Sequence, residues 1–301
     1  MANKITKWIL ATRPRTLVLS LAGVLMGGFV AIPKGDANLW AWLFCAITAI
    51  LLQILSNLTN DYGDFANGVD TTERTGPQRA MQSGDVSTDG MKRAIGVVTV
   101  LVLLTGAALV FFVAGLSKAE MLVFAALGIG AAAAAVLYTL GKHPYGYRGL
   151  GDFYCFIFFG LVSVAGTFFL VAHQWDYSIL LPATTLGLMS NAVLNINNMR
   201  DYVNDKIKGK NTLVVKIGIK KARHYHTFLI ITSFICLIAY TIINGSPIWC
   251  YSFLLLLPFF IKDLIDIYAT PVRYLDPYLK KQAIKTFLLS VIYGVMFCIF
   301  S

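Results

Sequence analysis

Long apolar runs separated by polar connections set the pattern of this chain. The runs fall at 16–33, 38–58, 94–116, 120–140, 152–172, 178–199, 226–244, 247–268 and 283–301. Each is near the length of about 20 residues that a helix needs to cross a hydrocarbon core. The pattern predicts an all-α integral membrane protein with nine transmembrane helices. It forms one domain over 1–301, in two halves of about 1–140 and 141–301. The first run is the weakest, since glycines interrupt it and Pro33 ends it.

The basic residues orient these spans. Of the 25 Lys and Arg, all but Lys34 and Lys118 fall in the N-terminal segment, in the connections after the second, fourth, sixth and eighth runs, or, for Lys262 and Lys285, at the run ends that flank the last of these. Cytoplasmic loops carry such an excess. The N-terminus is therefore expected in the cytoplasm and the C-terminus outside, in the inner (cytoplasmic) membrane of a cell. Only Asp36, Glu120 and Asp176 among the acidic residues lie on the far side. Any chemistry is expected at the cytoplasmic face.

Composition agrees. The chain is 57% hydrophobic and 13% charged, where soluble domains carry about 25% charged residues. The formal charge of +10 follows from membrane topology and calls for no nucleic-acid partner. Cys45, Cys155, Cys236, Cys250 and Cys298 lie in or beside apolar runs without CxxC spacing, which suits reduced packing residues. No small-residue cleavage site follows a short apolar core at the N-terminus, so no removed signal peptide is expected. The four histidines show no ligand spacing, and there is no P-loop or GxGxxG. Gly27–Gly28 and the GIGAAAAA run at 128–135 are expected to permit close helix packing.

Two polar clusters break the apolar pattern. The second run ends in NLTNDYGD, with Asn57, Asn60, Asp61 and Asp64. The sixth ends in NAVLNINNMRDYVND, with Asn195, Asn197, Asn198, Asp201 and Asp205. Asn60 and Asp64, like Asp201 and Asp205, are four apart and share a helical face. A single such cluster could be a solvated loop. Two of the same grammar on one side of the membrane point to a site. Crowded carboxylates repel unless a cation lies between them, so removing one would stabilise the substrate-free protein. Oxygen-only ligands favour Mg²⁺, which takes one or two carboxylates plus substrate phosphates. Asn60, Asp61, Asp64, Asp201 and Asp205 are the candidate ligands for two ions on one diphosphate.

Cationic and aromatic partners accompany them. Tyr138 and Lys142 are four apart at the end of the fourth run, with Arg148 beyond. Lys142 is assigned to phosphate and Tyr138 to a developing carbocation. The alternatives are a positive-inside lysine and an interfacial tyrosine. Arg79 and Arg200 are further phosphate candidates, with Asn57, Asn197 and Asn198 beside them. A cation-coupled transporter would place its acids near the bilayer midplane, whereas these lie at cytoplasmic helix ends.

These residues resemble the UbiA superfamily of intramembrane prenyltransferases. NDYGD looks like its first aspartate-rich motif, RDYVND like the second, and Tyr138–Lys142 like the YxxxK element between them. The likeness runs from TRPRT near the N-terminus to the ninth run. LSNLTNDYGDFANGVD, RTGPQRAMQSG, YTLGKHPYGYRGLGD, NNMRDYVND and GKNTLVVKIG resemble the branch that prenylates 1,4-dihydroxy-2-naphthoate in menaquinone biosynthesis. The resemblance implies nine helices around a central cavity, open to lipid and capped by cytoplasmic loops. It also implies a reaction: polyprenyl diphosphate and 1,4-dihydroxy-2-naphthoate give demethylmenaquinone, carbon dioxide and diphosphate, with Mg²⁺. Related enzymes act on 4-hydroxybenzoate or homogentisate. Metal, diphosphate and the cytoplasmic face also follow from the residues; the acceptor and the decarboxylation rest on the resemblance. One position departs from the superfamily's NDxxDxxxD pattern: Gly68 stands four after Asp64, and the next carboxylate is Asp70.

Overall fold

The computed structural model describes residues 4–69, 76 and 78–301. Among the described residues there are nine helices long and apolar enough to cross a membrane, and no strand. They are α1 (Pro14–Lys34), α2 (Leu39–Ala66), α3 (Thr88–Val113), α4 (Lys118–Leu137), α5 (Gly151–Ala172), α6 (Tyr177–Arg200), α7 (Ile219–Ile243), α8 (Ile248–Ala269) and α9 (Asp276–Phe300). In lipid every backbone polar group must be satisfied within the segment, and helices achieve this.

The expected count holds, but several cytoplasmic ends reach further than hydropathy alone marked. α2 continues eight residues past 58, so Asn60, Asp61 and Asp64 all lie on a helix. α9 starts at Asp276 with Pro277 in its first turn, where the missing N–H is no loss. α1 likewise opens on Pro14 and runs through its glycines without a break. Hydropathy stops where side chains turn polar, whereas a helix stops where its backbone loses partners.

α6 is the most enclosed span. It packs against α5, α7 and α9, while α1 packs against α9, α2 and α5, and α2 carries α3 and α4. Met26, Phe168, Leu186, Met189, Phe253 and Tyr293 form the main core. Outward-facing Phe112, Leu122, Ile235, Leu255 and Ile299 are exposed, as lipid-facing side chains should be. A side chain at Gly27 or Gly28 would collide with α5 or with Trp42, so this pair does permit close packing. Gly128 and Gly130 face open space instead, which corrects the packing role expected for GIGAAAAA.

One charged pair is buried away from the acidic clusters. Lys285 of α9 meets Asp263 of α8 at 2.7 Å and lies 4.1 Å from the centre of the Phe260 ring. Breaking a buried pair leaves an uncompensated charge, at a cost of about 3–5 kcal/mol. Asp263→Ala should therefore lower the melting temperature in detergent by several degrees. Asp263→Leu combined with Lys285→Met should recover much of the loss. Equal losses in the single and double variants would show that shape, not charge compensation, matters there.

Candidate active site

A cavity of about 600 Å³ lies among α1–α6. Its wall is mostly apolar, with Leu52, Val102, Phe124, Phe158 and Leu170 among its residues. Its polar end carries Arg13, Arg15, Asn57, Asn60, Asp64, Arg79, Asn197 and Lys210. Phe111 and Ile129 line it and yet are more than half exposed, so this wall reaches the lipid-facing surface. Phe156–Gly166 of α5 winds as a π-helix and presents Phe158, Phe159, Val162 and Ser163 to the cavity. Such widened turns are frequent at functional sites.

The first polar cluster is built onto α2 by close approach. The glycine inside NDYGD is needed because a side chain at Gly63 would run into Thr139. Thr139 donates its hydroxyl to the Thr59 carbonyl at 2.9 Å, and the same oxygen lies 3.3 Å from the Asn60 amide. In this second contact Asn60 Oδ1 is the acceptor, and Asn60 itself lines the cavity. Asn57 donates to the Thr12 carbonyl (2.7 Å) and to Thr16 Oγ1 (2.9 Å), tying α2 to the start of α1. Gln53 donates in turn to Asn57 Oδ1 at 3.1 Å.

Asp64 is the hub. It is 1% exposed. Arg79 Nη1 donates to its Oδ2 at 2.6 Å, and the Tyr147 hydroxyl donates to its Oδ1 at 2.6 Å. Lys210 Nζ lies 3.4 and 3.5 Å from the two oxygens and 5.1 Å from the centre of the Tyr147 ring. Burial, followed by the Asp64 carboxylate, holds the Tyr147 phenol above its ordinary range, so it remains a donor. Asp61 is buried, is absent from the cavity wall, and has an Oδ1 without a hydrogen-bond partner.

The second cluster takes a different form. Arg200 donates to Asp201 through Nε (2.9 Å) and Nη2 (2.7 Å), to Asn197 at 2.8 Å and to Asp276 at 2.5 Å. Arg15 reaches the same Asp276 at 3.2 Å. The Arg200 side chain is 1% exposed. Its guanidinium binds the protein's own acids, ties α6 to α9, and is absent from the cavity wall. Asn197 lines the cavity; Asn198 is buried away from it. Asp205 is buried on the short helix Tyr202–Ile207. Asn204 Nδ2 donates to the Val69 carbonyl at 3.1 Å, joining the connections that follow α2 and α6.

Tyr138 lines the cavity and meets Tyr145 edge-on at 5.3 Å. Burial pushes its phenol well up; Tyr145 adds to this, as do Asp64, Asp152 and Asp205. Lys142 and Arg148 are exposed and do not line the cavity. The chain turns after Leu140, with Gly141 at φ 99°, and carries Lys142 off the helical face that bears Tyr138. A spacing of four means one face only while the helix lasts. Asp70 lies outside the described residues.

Sequence reasoning missed Lys210 and Tyr147, and the cavity positions of Arg13 and Arg15. Lys210 stood in the basic connection after α6 among seven other cations. The signal was Gly209 beside it. At φ 71° this residue turns the chain back, and the Lys210 and Asn211 amides then bond to the Asp205 and Tyr147 carbonyls at 2.8 and 3.0 Å.

Among the described residues, no three His, Cys, Asp or Glu groups converge to hold a metal by themselves. The donors are nonetheless hard oxygens, with the Asp64 carboxylate on the cavity and the unpartnered Asp61 Oδ1 among them. They suit a cation that takes part of its coordination from substrate phosphate.

A buried polar head joined to an apolar, lipid-reaching cavity belongs to a membrane enzyme that handles an amphiphile. The chain belongs to the UbiA prenyltransferase family, whose profile matches residues 20–274. It is 44% identical over 270 residues to the 1,4-dihydroxy-2-naphthoate octaprenyltransferase of Escherichia coli (strain K12), covering 90% of this chain and 86% of the relative. The enzyme of that name from Haemophilus influenzae is 39% identical, with 97% and 96% covered. The fold matches a UbiA homolog from Archaeoglobus fulgidus, solved with GPP and Mg²⁺, at a TM-score of 0.65 and 16% identity. That match covers 97% of this chain and 99% of the other.

Proposed function

We propose that this multi-pass membrane protein transfers a polyprenyl group from polyprenyl diphosphate to 1,4-dihydroxy-2-naphthoate. Carbon dioxide and diphosphate leave, and the product is the reduced form of demethylmenaquinone. The acceptor rests on the two bacterial relatives. The observation that carries the reading is the cavity, whose cationic end meets a long apolar wall.

The chain's own residues divide the work. Arg79 and Lys210 bind the diphosphate, and the apolar wall holds the isoprenoid and excludes water. Tyr138 stays a neutral phenol with its ring toward the site, where it faces positive charge developing on the allylic carbon. Mg²⁺, two ions, is the assigned cofactor. Asn60, Asp61 and Asp64 on one side and Asp201 and Asp205 on the other would hold it, and when bound it neutralises charge on the leaving diphosphate. The allylic C–O bond breaks with its electron pair on diphosphate. The electron-rich ring bonds to the allylic carbon through its carboxyl-bearing carbon. The bond to the carboxylate then breaks and returns its pair to the ring. No proton from the protein is required.

α1–α4 and α5–α9 each supply one aspartate-rich motif to this single catalytic domain. The distribution of basic residues supports a location in the cytoplasmic membrane with the motifs on its cytoplasmic face and the C-terminus outside.

The test is to incubate the purified protein with Mg²⁺, a prenyl diphosphate and a panel of aromatic acids, reading products by mass spectrometry. The expected result is one decarboxylated product, from dihydroxynaphthoate alone, absent in excess EDTA. Product from 4-hydroxybenzoate with none from dihydroxynaphthoate would overturn the acceptor. Full activity in EDTA would overturn the metal.

A further inference from the structure

Asp64 lies at the centre of the first motif, yet its carboxylate is fully engaged. Arg79 and Tyr147 hold it at 2.6 Å each. Lys210 sits differently: its ammonium straddles both oxygens at 3.4 and 3.5 Å, longer than a good charge-assisted bond. The lysine is 7% exposed and lines the cavity. A backbone turn fixes its Cα, while four flexible carbons carry the charge. Two cations, Arg79 and Lys210, face one carboxylate here, and all three residues line the cavity. The substrate-free pocket therefore presents excess positive charge around the carboxylate a divalent ion would need. Such a pocket repels a free divalent cation and attracts a polyanion.

We infer that Lys210 is a movable counter-ion that makes metal binding conditional on diphosphate. In the substrate-free protein it neutralises Asp64. When the diphosphate arrives, Lys210 transfers to a phosphate oxygen and leaves Asp64 available to the metal. Arg79 and Tyr147 keep the carboxylate oriented during the exchange. Lys210 thus excludes unproductive metal loading and, once transferred, touches the leaving group. This rests on the prenyl-transfer reading above but not on the identity of the aromatic acceptor.

The experiment uses the full chain in detergent, with Mn²⁺ as the metal and an unreactive farnesyl thiodiphosphate as the donor analogue. Electron paramagnetic resonance of free Mn²⁺ reads metal uptake, and no turnover is needed. The wild type should bind Mn²⁺ at least tenfold more tightly with the analogue than without it. Lys210→Met should bind Mn²⁺ alone at least tenfold more tightly than the wild type does, and should bind the analogue more weakly. Lys210→Arg, which keeps the charge, should restore the requirement for diphosphate. Melting temperatures establish that each variant is folded. Equal Mn²⁺ affinity in wild type with and without the analogue would overturn the inference, as would an unchanged metal affinity in folded Lys210→Met. If the wild type binds no analogue at all, prenyl transfer itself fails, an outcome distinct from the other two.

Discussion

Asp64→Asn and Asp205→Asn should each lower turnover by roughly a hundred- to a thousandfold, the scale on which a single preorganised electrostatic group acts. The two residues lie on elements joined by the Asn204–Val69 bond and by Lys210, which follows Asp205 and reaches Asp64. If they serve one diphosphate, the double variant should be little worse than either single, because residues acting as a unit are not additive. Multiplicative losses would mean that the clusters work separately. Stability provides a second readout. Crowded carboxylates in the sequence suggested that removing one relieves repulsion. The structure reverses that sign for Asp64, whose neighbours are Arg79 and Lys210. Asp64→Asn leaves those cations facing each other over a neutral amide, so its melting temperature should fall. A rise would mean that carboxylate repulsion dominates after all.

Arg79→Gln should raise the KM for prenyl diphosphate about 10- to 100-fold, since hydrogen bonds to charged groups contribute about 1.5–3 kcal/mol. Lys142→Ala should leave that KM within about twofold, as for surface changes away from a site. The contrast inverts the order in which the sequence ranked them, Lys142 first and Arg79 as a further candidate, because Arg79 lines the cavity and Lys142 does not. The measurement is initial rates with the donor varied at saturating acceptor. A tenfold rise for Lys142→Ala would return the diphosphate to that lysine. An unchanged KM for Arg79→Gln would remove Arg79 from it.

The span count, the helical class and the two acidic motifs were all legible in the sequence. Each is a local property. Bilayer thickness sets the run length, and a spacing of four sets a helical face wherever a helix exists. NDYGD and RDYVND could therefore be read as metal-type donors before their neighbours were known. What local spacing could not decide was which cations meet which acids. Arg200 adjoins Asp201 in sequence, but its engagement with Asp276 depends on α9 packing beside α6. Lys142 keeps the right interval from Tyr138, but the chain turns before it and sends it to the surface. Lys210 is 146 residues from Asp64, and a left-handed glycine and two backbone bonds bring them together. Hydropathy and periodicity record how each segment meets its solvent. Ion pairing in a buried site depends on distances of a few ångströms between distant segments, and only the packed helices set those distances.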